Sequence, residues 1–599
     1  GTVILTGENS YAKTTVTGGT LQIGTGGADG NLGSGAVNIS NASATLAINL
    51  KDEYTIAGLI SGAGSFSKEG TNTVILTAEN TYGRTTVAGG TLQLGSGGTT
   101  GKLGNGDVSL AAGSILLFNR SNFYNVTNVI SGEGALVVSM QGGGTIALVG
   151  ANTYKGGTTV NVGFARATAD SGFGDITGGI FLNGGTLMNN DSFLVLNAAR
   201  TITLGSGGGD FRVGWAKSIT VNGRITGTGE LRLNNDSGVL ILAGVGSDYT
   251  GDTTIGVGAG NNITLLRLGA SGVLPDGTRV RFNGGVGKTA VLDLNGNTET
   301  VGSLVTVSGS GTVTNSAATT TATLTVTPTS GSATYDGLIE NGTGVVAVGK
   351  TGAGTQEFTG DNTYSGGTTI SQGTLLANNT LGSGSALGAG SVLVTSGGRL
   401  GGAGSVIPGN GASITVTAGK LMVGNTHGVN MSNGGLGAET LILGGAGLNV
   451  SISLNGTLQF DMVDAGSMYD VGDSQYNSIF GANDTLKILT NGALNLDNAI
   501  IELAVEDTSY WDVGQTWRLI DWSGAMASSF SAQNLQLLTN NIAGFNIIQH
   551  IVESGEGAGY YITLAAVPEP SRALLVLLGA AFCTLRRRRT LRQASPILY

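Results

Sequence analysis

The feature that most constrains this chain is that it repeats itself, and repetition limits the fold before any residue-level reading begins. Asn9-Ser10-Tyr11 lies in TVILTGENSYAKTTVTGGTLQIG, and Asn80-Thr81-Tyr82 lies in TVILTAENTYGRTTVAGGTLQLG. Asn152-Thr153-Tyr154 and Asn362-Thr363-Tyr364 sit in related strings, and a worn copy, LAGVGSDYTGDTTIG, puts Tyr249 in the same role. The tyrosines are 71, 72, 95 and 115 residues apart. A second motif travels with the first: LISGAG at 59–64, VISGEG at 129–134 and RITGTG at 224–229. Two co-travelling motifs mark one structural unit with variable insertions.

Within each unit the segments are short, rich in Thr, Val, Ile and Leu, and bounded by Gly. Thr14–Thr17 and Thr20–Ile23 set the pattern. Such segments read as strands of three to five residues between tight turns. Gly18-Gly19 and Gly89-Gly90 offer the positive φ those turns need. No stretch of the body carries a sustained helical apolar period. Repetition with insertions favours a solenoid over a sandwich or barrel. At roughly three coils per 71-residue unit, about 400 residues predict roughly 17 coils stacked about 4.8 Å apart. The Asn of each motif is expected to cap a turn through backbone groups, with the Tyr ring packed over the coil edge.

Composition excludes much chemistry. The 599 residues include 107 Gly, and only 11% are charged, against about 25% in ordinary domains. One cysteine, Cys583, rules out a disulfide framework and a Cys-based zinc site. Two histidines, His427 and His550, leave little for metal or triad chemistry. Six Arg and no acid lie in 571–599; the other 22 basic and 38 acidic residues give the body a net charge of −16. A body of that charge does not suit nucleic acid. Gly205–Gly209 lacks the Lys-Ser/Thr and following helix of a phosphate loop. Gly207-Gly208-Gly209-Asp210-Phe211 is a single faint match to a calcium-binding turn that would require an array.

The string GxNTYxGGTTxxxGTL, closest at Thr363–Ile370 with Gly373-Thr374-Leu375, resembles the autotransporter-associated β-strand repeat of bacterial surface proteins. That resemblance implies a right-handed parallel β-helix, exported to the cell surface, over residues 1–400, with no catalytic residues in the repeat. Residues 401–566 carry longer alternating strands and resemble the closing section of such passengers, a β-rich cap over an otherwise open solenoid end. Within it, Asp461, Asp464, Asp470 and Asp473 are expected to be a solvated loop, with a calcium site as the alternative. Trp511, Trp517 and Trp522 are expected to be cap core, with a sugar-stacking platform as the alternative.

The tail reads differently. Val567-Pro568-Glu569-Pro570 precedes an apolar run over 573–585 and then Arg586, Arg587, Arg588 and Arg589. As a helix, thirteen apolar residues span about 20 Å, short of a ~30 Å hydrocarbon core unless the arginines snorkel. The arginines would hold that end in the cytoplasm. The three parts, in this order, resemble a PEP-CTERM sorting signal over 567–589, followed by a 590–599 extension that such signals usually lack. That resemblance implies an exosortase-type processing enzyme as partner and transient inner-membrane anchoring through a short hydrophobic helix. A permanent single-pass anchor is the alternative. The chain opens inside a repeat without Met, so a longer N-terminal part with an export signal is expected. The expectation is an exported structural or adhesion protein, not an enzyme, without cofactor or metal, and with extracellular polysaccharide as the candidate ligand. The alternative is a β-helical polysaccharide lyase or hydrolase, with Asp461 and Asp464 as first suspects.

Overall fold

In a computed structural model the chain is an all-β parallel β-solenoid of about 18 turns. The structure describes residues 1–234, 237–256, 263–424, 439–462, 484–505, 515–522, 529–531, 534–538, 541–542, 545–552 and 558–566. Among them, helix is confined to the single 3-10 turns Gln141–Gly143 and Asp170–Phe173. The chain divides into two units, Gly1–Lys420 and Leu421–Tyr599.

The first unit follows from the local chemistry. Thr-Val-Ile-Leu segments form strands such as Lys13–Val16, Thr20–Ile23 and Thr73–Leu76. Each strand pairs in parallel with its counterpart one coil on: Val108 lies against Ile130, and Ile180 against Ile202. Long parallel sheets result. One nine-stranded sheet runs from Tyr54–Ile56 to Ile225–Gly227, and a second from Phe123–Val126 to Ser303–Ser308. A seven-stranded sheet runs from Phe193–Leu196 to Leu338–Ile339. Alternate residues point inward, so Leu94, Phe118, Val138 and Val160 stack through successive coils with no exposure. Of the paired glycines, the second takes the left-handed conformation: Gly19 has φ 67° and Gly90 has φ 64°. A Cβ on Gly90 would sit 2.3 Å from the Asn72 carbonyl oxygen of the preceding coil, so no other residue fits there.

The second unit has longer strands, including Ser451–Met462, Phe545–Val552 and Gly559–Ala566. Thr440–Gly444 and Thr485–Leu489 pair in parallel, as do Ser451–Met462 and Ile500–Val505. Thr516–Asp521, Gly559–Ala566 and Phe545–Val552 then pair antiparallel. An antiparallel hairpin at the edge of a parallel ladder interrupts the template that a further parallel coil would use.

Candidate functional site

The motif residues face inward and bind the coils to one another. Asn80, Asn152 and Asn362 are buried. In each, Oδ1 accepts from an amide of the preceding coil: Ile60 at 2.9 Å, Ile130 at 2.8 Å and Ile339 at 2.6 Å. In each, Nδ2 donates to a carbonyl of the following coil: Lys102 at 2.9 Å, Gly172 at 2.8 Å and Ala386 at 2.6 Å. One side chain therefore spans three coils. This explains why the two sequence motifs travel together, because the Ile of the second motif donates to the Asn of the first. It also exposes a copy of the second motif that sequence reading missed, Leu338-Ile339-Glu340-Asn341-Gly342, whose Ile339 serves Asn362. In the worn copy, Ser247 Oγ accepts from Ile225 at 3.2 Å, but its hydroxyl turns back toward Gly244. Half of the staple survives there.

The tyrosines correct the expectation of a ring over the coil edge. Tyr82, Tyr154, Tyr249 and Tyr364 lie in the interior, no more than 1% exposed. An interior ring needs a partner for its hydroxyl. Each finds the first Thr of the following Thr-Thr pair: Thr85 at 3.1 Å, and Thr158, Thr253 and Thr368 at 2.6 Å. Burial pushes the Tyr82 hydroxyl up to about 12 and the other three higher still. They stay neutral and serve as hydrogen-bonding core. Tyr11 differs at 46% exposed, because its coil is the terminal one of the described stack.

Cations are buried as clamps. Lys350 is fully buried, and its ammonium donates to the carbonyls of Thr351 at 2.6 Å, Gly352 at 2.7 Å and Gln372, one coil on, at 3.0 Å. Lys68, also twelve residues before its motif Asn, is equally buried and donates to Gly70 and, at 3.0 Å, to Gly89. Burial lowers both ammonium groups to about 8. Met140 holds that place before Asn152. Arg200, with no exposure, donates to both Asp170 carboxylate oxygens at 2.7 and 2.9 Å and to the carbonyls of Phe173, Gly174 and Gly178. Glu299, 1% exposed, accepts from Val273 at 3.1 Å, while Oε1 is buried without a partner among the described residues. Burial raises its carboxyl to about 7, with nearby Asp276 adding to the rise.

On the outer face, one register row of the second nine-stranded sheet carries Phe123, Phe164, Asp210, Arg232 and Arg281, with threonines between most of them. Arg166 sits 5.1 Å from the Phe123 ring centre, and Arg212 sits 5.7 Å from that of Phe164. Arg232 Nε donates to Asp210 at 2.6 Å, and Arg279 pairs with Asp252 at 2.6 Å. Arg281 lies 3.8 Å from Glu230 and 3.7 Å from Asp252. Sequence reading missed this row because it met Asp210 only in a calcium-like turn, while Phe123, Phe164, Arg232 and Arg281 belong to no motif.

The remaining candidates place as follows. Asp210, in the faint calcium-like turn, is the partner of Arg232 and begins no array. Trp517 and Trp522 are buried at 1% and 4%, so neither offers a stacking face. Trp511 lies outside the described residues. Asp461 pairs across its strand with Ala504, whereas Asp464, Asp470 and Asp473 lie outside the described residues. So does the whole tail from Val567, with Pro568, Glu569, Pro570 and Arg586 to Arg589. Among the described residues, no group of three or more His, Cys, Asp or Glu is placed to hold a metal ion, and no helix is long and apolar enough to cross a membrane.

Five segments, 1–23, 66–94, 138–163, 235–259 and 349–377, match the family model described as Passenger-associated-transport-repeat, and each contains one of the five motif tyrosines. Over 280 residues, 45% of this chain, the sequence is 30% identical to the Adhesin BmaC autotransporter of Brucella suis biovar 1 (strain 1330). The chain spans only 7% of that relative's length. It carries passenger-associated-transport repeats on a parallel β-solenoid, and over nearly half its length it is similar to a stretch of an autotransporter adhesin.

Proposed function

We propose that this chain is an exported structural or adhesion protein of the bacterial surface or extracellular matrix, a rigid β-helical scaffold with no catalytic role. The observation that carries the reading is where the repeat spends its chemistry. In the interior copies the motif Asn bonds from coil to coil, the Tyr hydroxyl is taken up by the buried Thr beside it, and Lys68 and Lys350 clamp carbonyls, so these side chains are not left for a substrate. Repetition of a staple builds length and stiffness, which is what presentation of a surface at a distance requires. Similarity to a passenger repeat and to a protein named an adhesin supports export and surface association. A right-handed coil belongs to the same reading, since parallel crossovers within one sheet are almost always right-handed.

In this proposal residues 1–400 are the scaffold, 401–566 the cap and 567–589 a PEP-CTERM-like sorting signal ahead of the 590–599 extension. Pro568-Glu569-Pro570 would present the cleavage region to an exosortase-type enzyme. The run 573–585 would hold the chain transiently in the inner membrane, with Arg586 to Arg589 on the cytoplasmic side. Nucleic acid is not a partner in this reading, because the body is acidic.

The test follows two tags, one within 401–566 and one after Tyr599, in a host that has an exosortase. Arrival of the first tag at the surface or in the matrix, with loss of the second, is the expected result. Both tags together in the membrane would replace sorting by a permanent anchor. A second reading, a polysaccharide lyase or hydrolase, is favoured by one observation: Glu230 and Asp252 both lie within 4 Å of Arg281 on an outer face. Shortening of soluble glycans by the purified chain would establish it.

A further inference from the structure

We propose that the outer face of the second nine-stranded sheet is a binding track for an uncharged, linear polysaccharide. The proposal rests on the surface-adhesion reading and names the ligand class and the residues that would meet it.

Three observations carry it. The first is placement. Phe123, Phe164, Asp210, Arg232 and Arg281 occupy one register row on strands one, three, five, six and eight of a single sheet. Seven steps of about 4.8 Å make a straight track of roughly 34 Å. The corresponding outward row of the other nine-stranded sheet, through Thr55, Gln93, Thr159 and Thr203, carries no ionisable residue. In a chain with only 11% charged residues, this concentration is local.

The second observation is charge. Asp210, Glu230 and Asp252 face Arg232, Arg279 and Arg281, so this part of the track is electroneutral. Carboxylates only accept hydrogen bonds and guanidinium groups only donate them. A sugar hydroxyl does both, so neighbouring hydroxyls on one ring match a carboxylate beside an arginine. Arg281 has such capacity to offer. Its carboxylate neighbours stand at 3.7 and 3.8 Å, beyond hydrogen-bond distance, and its guanidinium makes no hydrogen bond among the described residues. A polyanion fits poorly, since it would approach Glu230 and Asp252 on a body of net charge −16.

The third is the aromatic end. Phe123 is 54% exposed on the outer face and Phe164 is partly exposed two strands on. The apolar face of a pyranose ring stacks on such a ring, and the adjacent guanidinium groups of Arg166 and Arg212 hold the phenyl groups in place.

The test is affinity electrophoresis of the full 599-residue chain through native gels containing dextran, galactomannan, xyloglucan or polygalacturonate. The expected result is retardation by at least one of the three neutral polymers, little changed by added salt. Phe123→Ala/Phe164→Ala and Arg281→Gln should each weaken it about tenfold, the loss of a stacking or charge-assisted contact. Both changes are on the outer face, and circular dichroism and thermal midpoint matching the parent establish that each variant folds. Retardation only by polygalacturonate, retardation unchanged in both variants, or no retardation by any neutral polymer would overturn the proposal. Surface retention of the same variants, scored by the tag within 401–566, separates the two claims. Retention without glycan binding sinks the track and leaves the surface reading standing.

Discussion

Asn152→Ala tests whether the repeat is a set of independent cross-coil staples. The side chain is 2% exposed and makes two bonds of 2.8 Å, from Ile130 N–H in the coil before and to Gly172 C=O in the coil after. Removing it strands a buried donor and a buried acceptor. Each costs about 1–3 kcal/mol when left without a partner, so the expected loss is about 2–6 kcal/mol. Solenoid stability is a sum of nearest-neighbour terms, so the loss stays in the three coils concerned. Hydrogen exchange with mass spectrometry reads this directly. Every 1.4 kcal/mol is about tenfold in exchange rate, so peptides holding Ile130 and Gly172 should exchange about 30-fold faster or more. Those around Asn362 should not change. Asn152→Ser supplies an internal standard, because Ser247 naturally keeps only the bond from the preceding coil. It should recover protection at Ile130 and not around Gly172. Asn152→Asp should be worse than Ser, since its second oxygen would face the Gly172 carbonyl. Equal effects of Ala, Ser and Asp, or loss of protection along the whole solenoid, would refute the staple.

Three further outcomes are expected. The ammonium groups of Lys68 and Lys350 are near 8 when folded against 10.5 when unfolded, so the unfolded chain binds more protons between those values and stability rises with pH across that window. A thermal-midpoint series should show that rise in the parent and lose it in Lys68→Met/Lys350→Met, which copies the methionine that Met140 places at the same point of its repeat. Glu299 has the opposite sign. Its folded value near 7 lies above 4.5, so the folded chain binds more protons and stability falls as pH rises from 4.5 through 7. Glu299→Gln should remove that fall and slow amide exchange at Val273 above pH 7. Tyr364→Phe should cost about 1 kcal/mol by exchange near Thr368, because Thr368 keeps its bond to the Leu387 carbonyl at 3.3 Å.

The sequence by itself determined the class of fold and its approximate number of coils. Both follow from local chemistry: strands of Thr, Val and Ile, glycines in each turn, and a motif recurring at coil-sized intervals. It determined that Asn152 bonds backbone groups, because a short amide side chain in a turn has few other uses. Only the tertiary structure decided which backbone groups these are. The partners of Asn152 lie 22 and 20 residues away, and coil length varies with every insertion. The direction of Tyr154 was likewise undetermined. A turn residue lies outside the period-two rule that sorts strand residues, and its inward course depends on finding Thr158 in a dry interior. The outer track was the least legible part. Phe123 and Arg281 meet in one row only because eight strands of unequal spacing stack in register. That register is set by the buried faces of the strands, on the side of the sheet opposite to the residues it aligns.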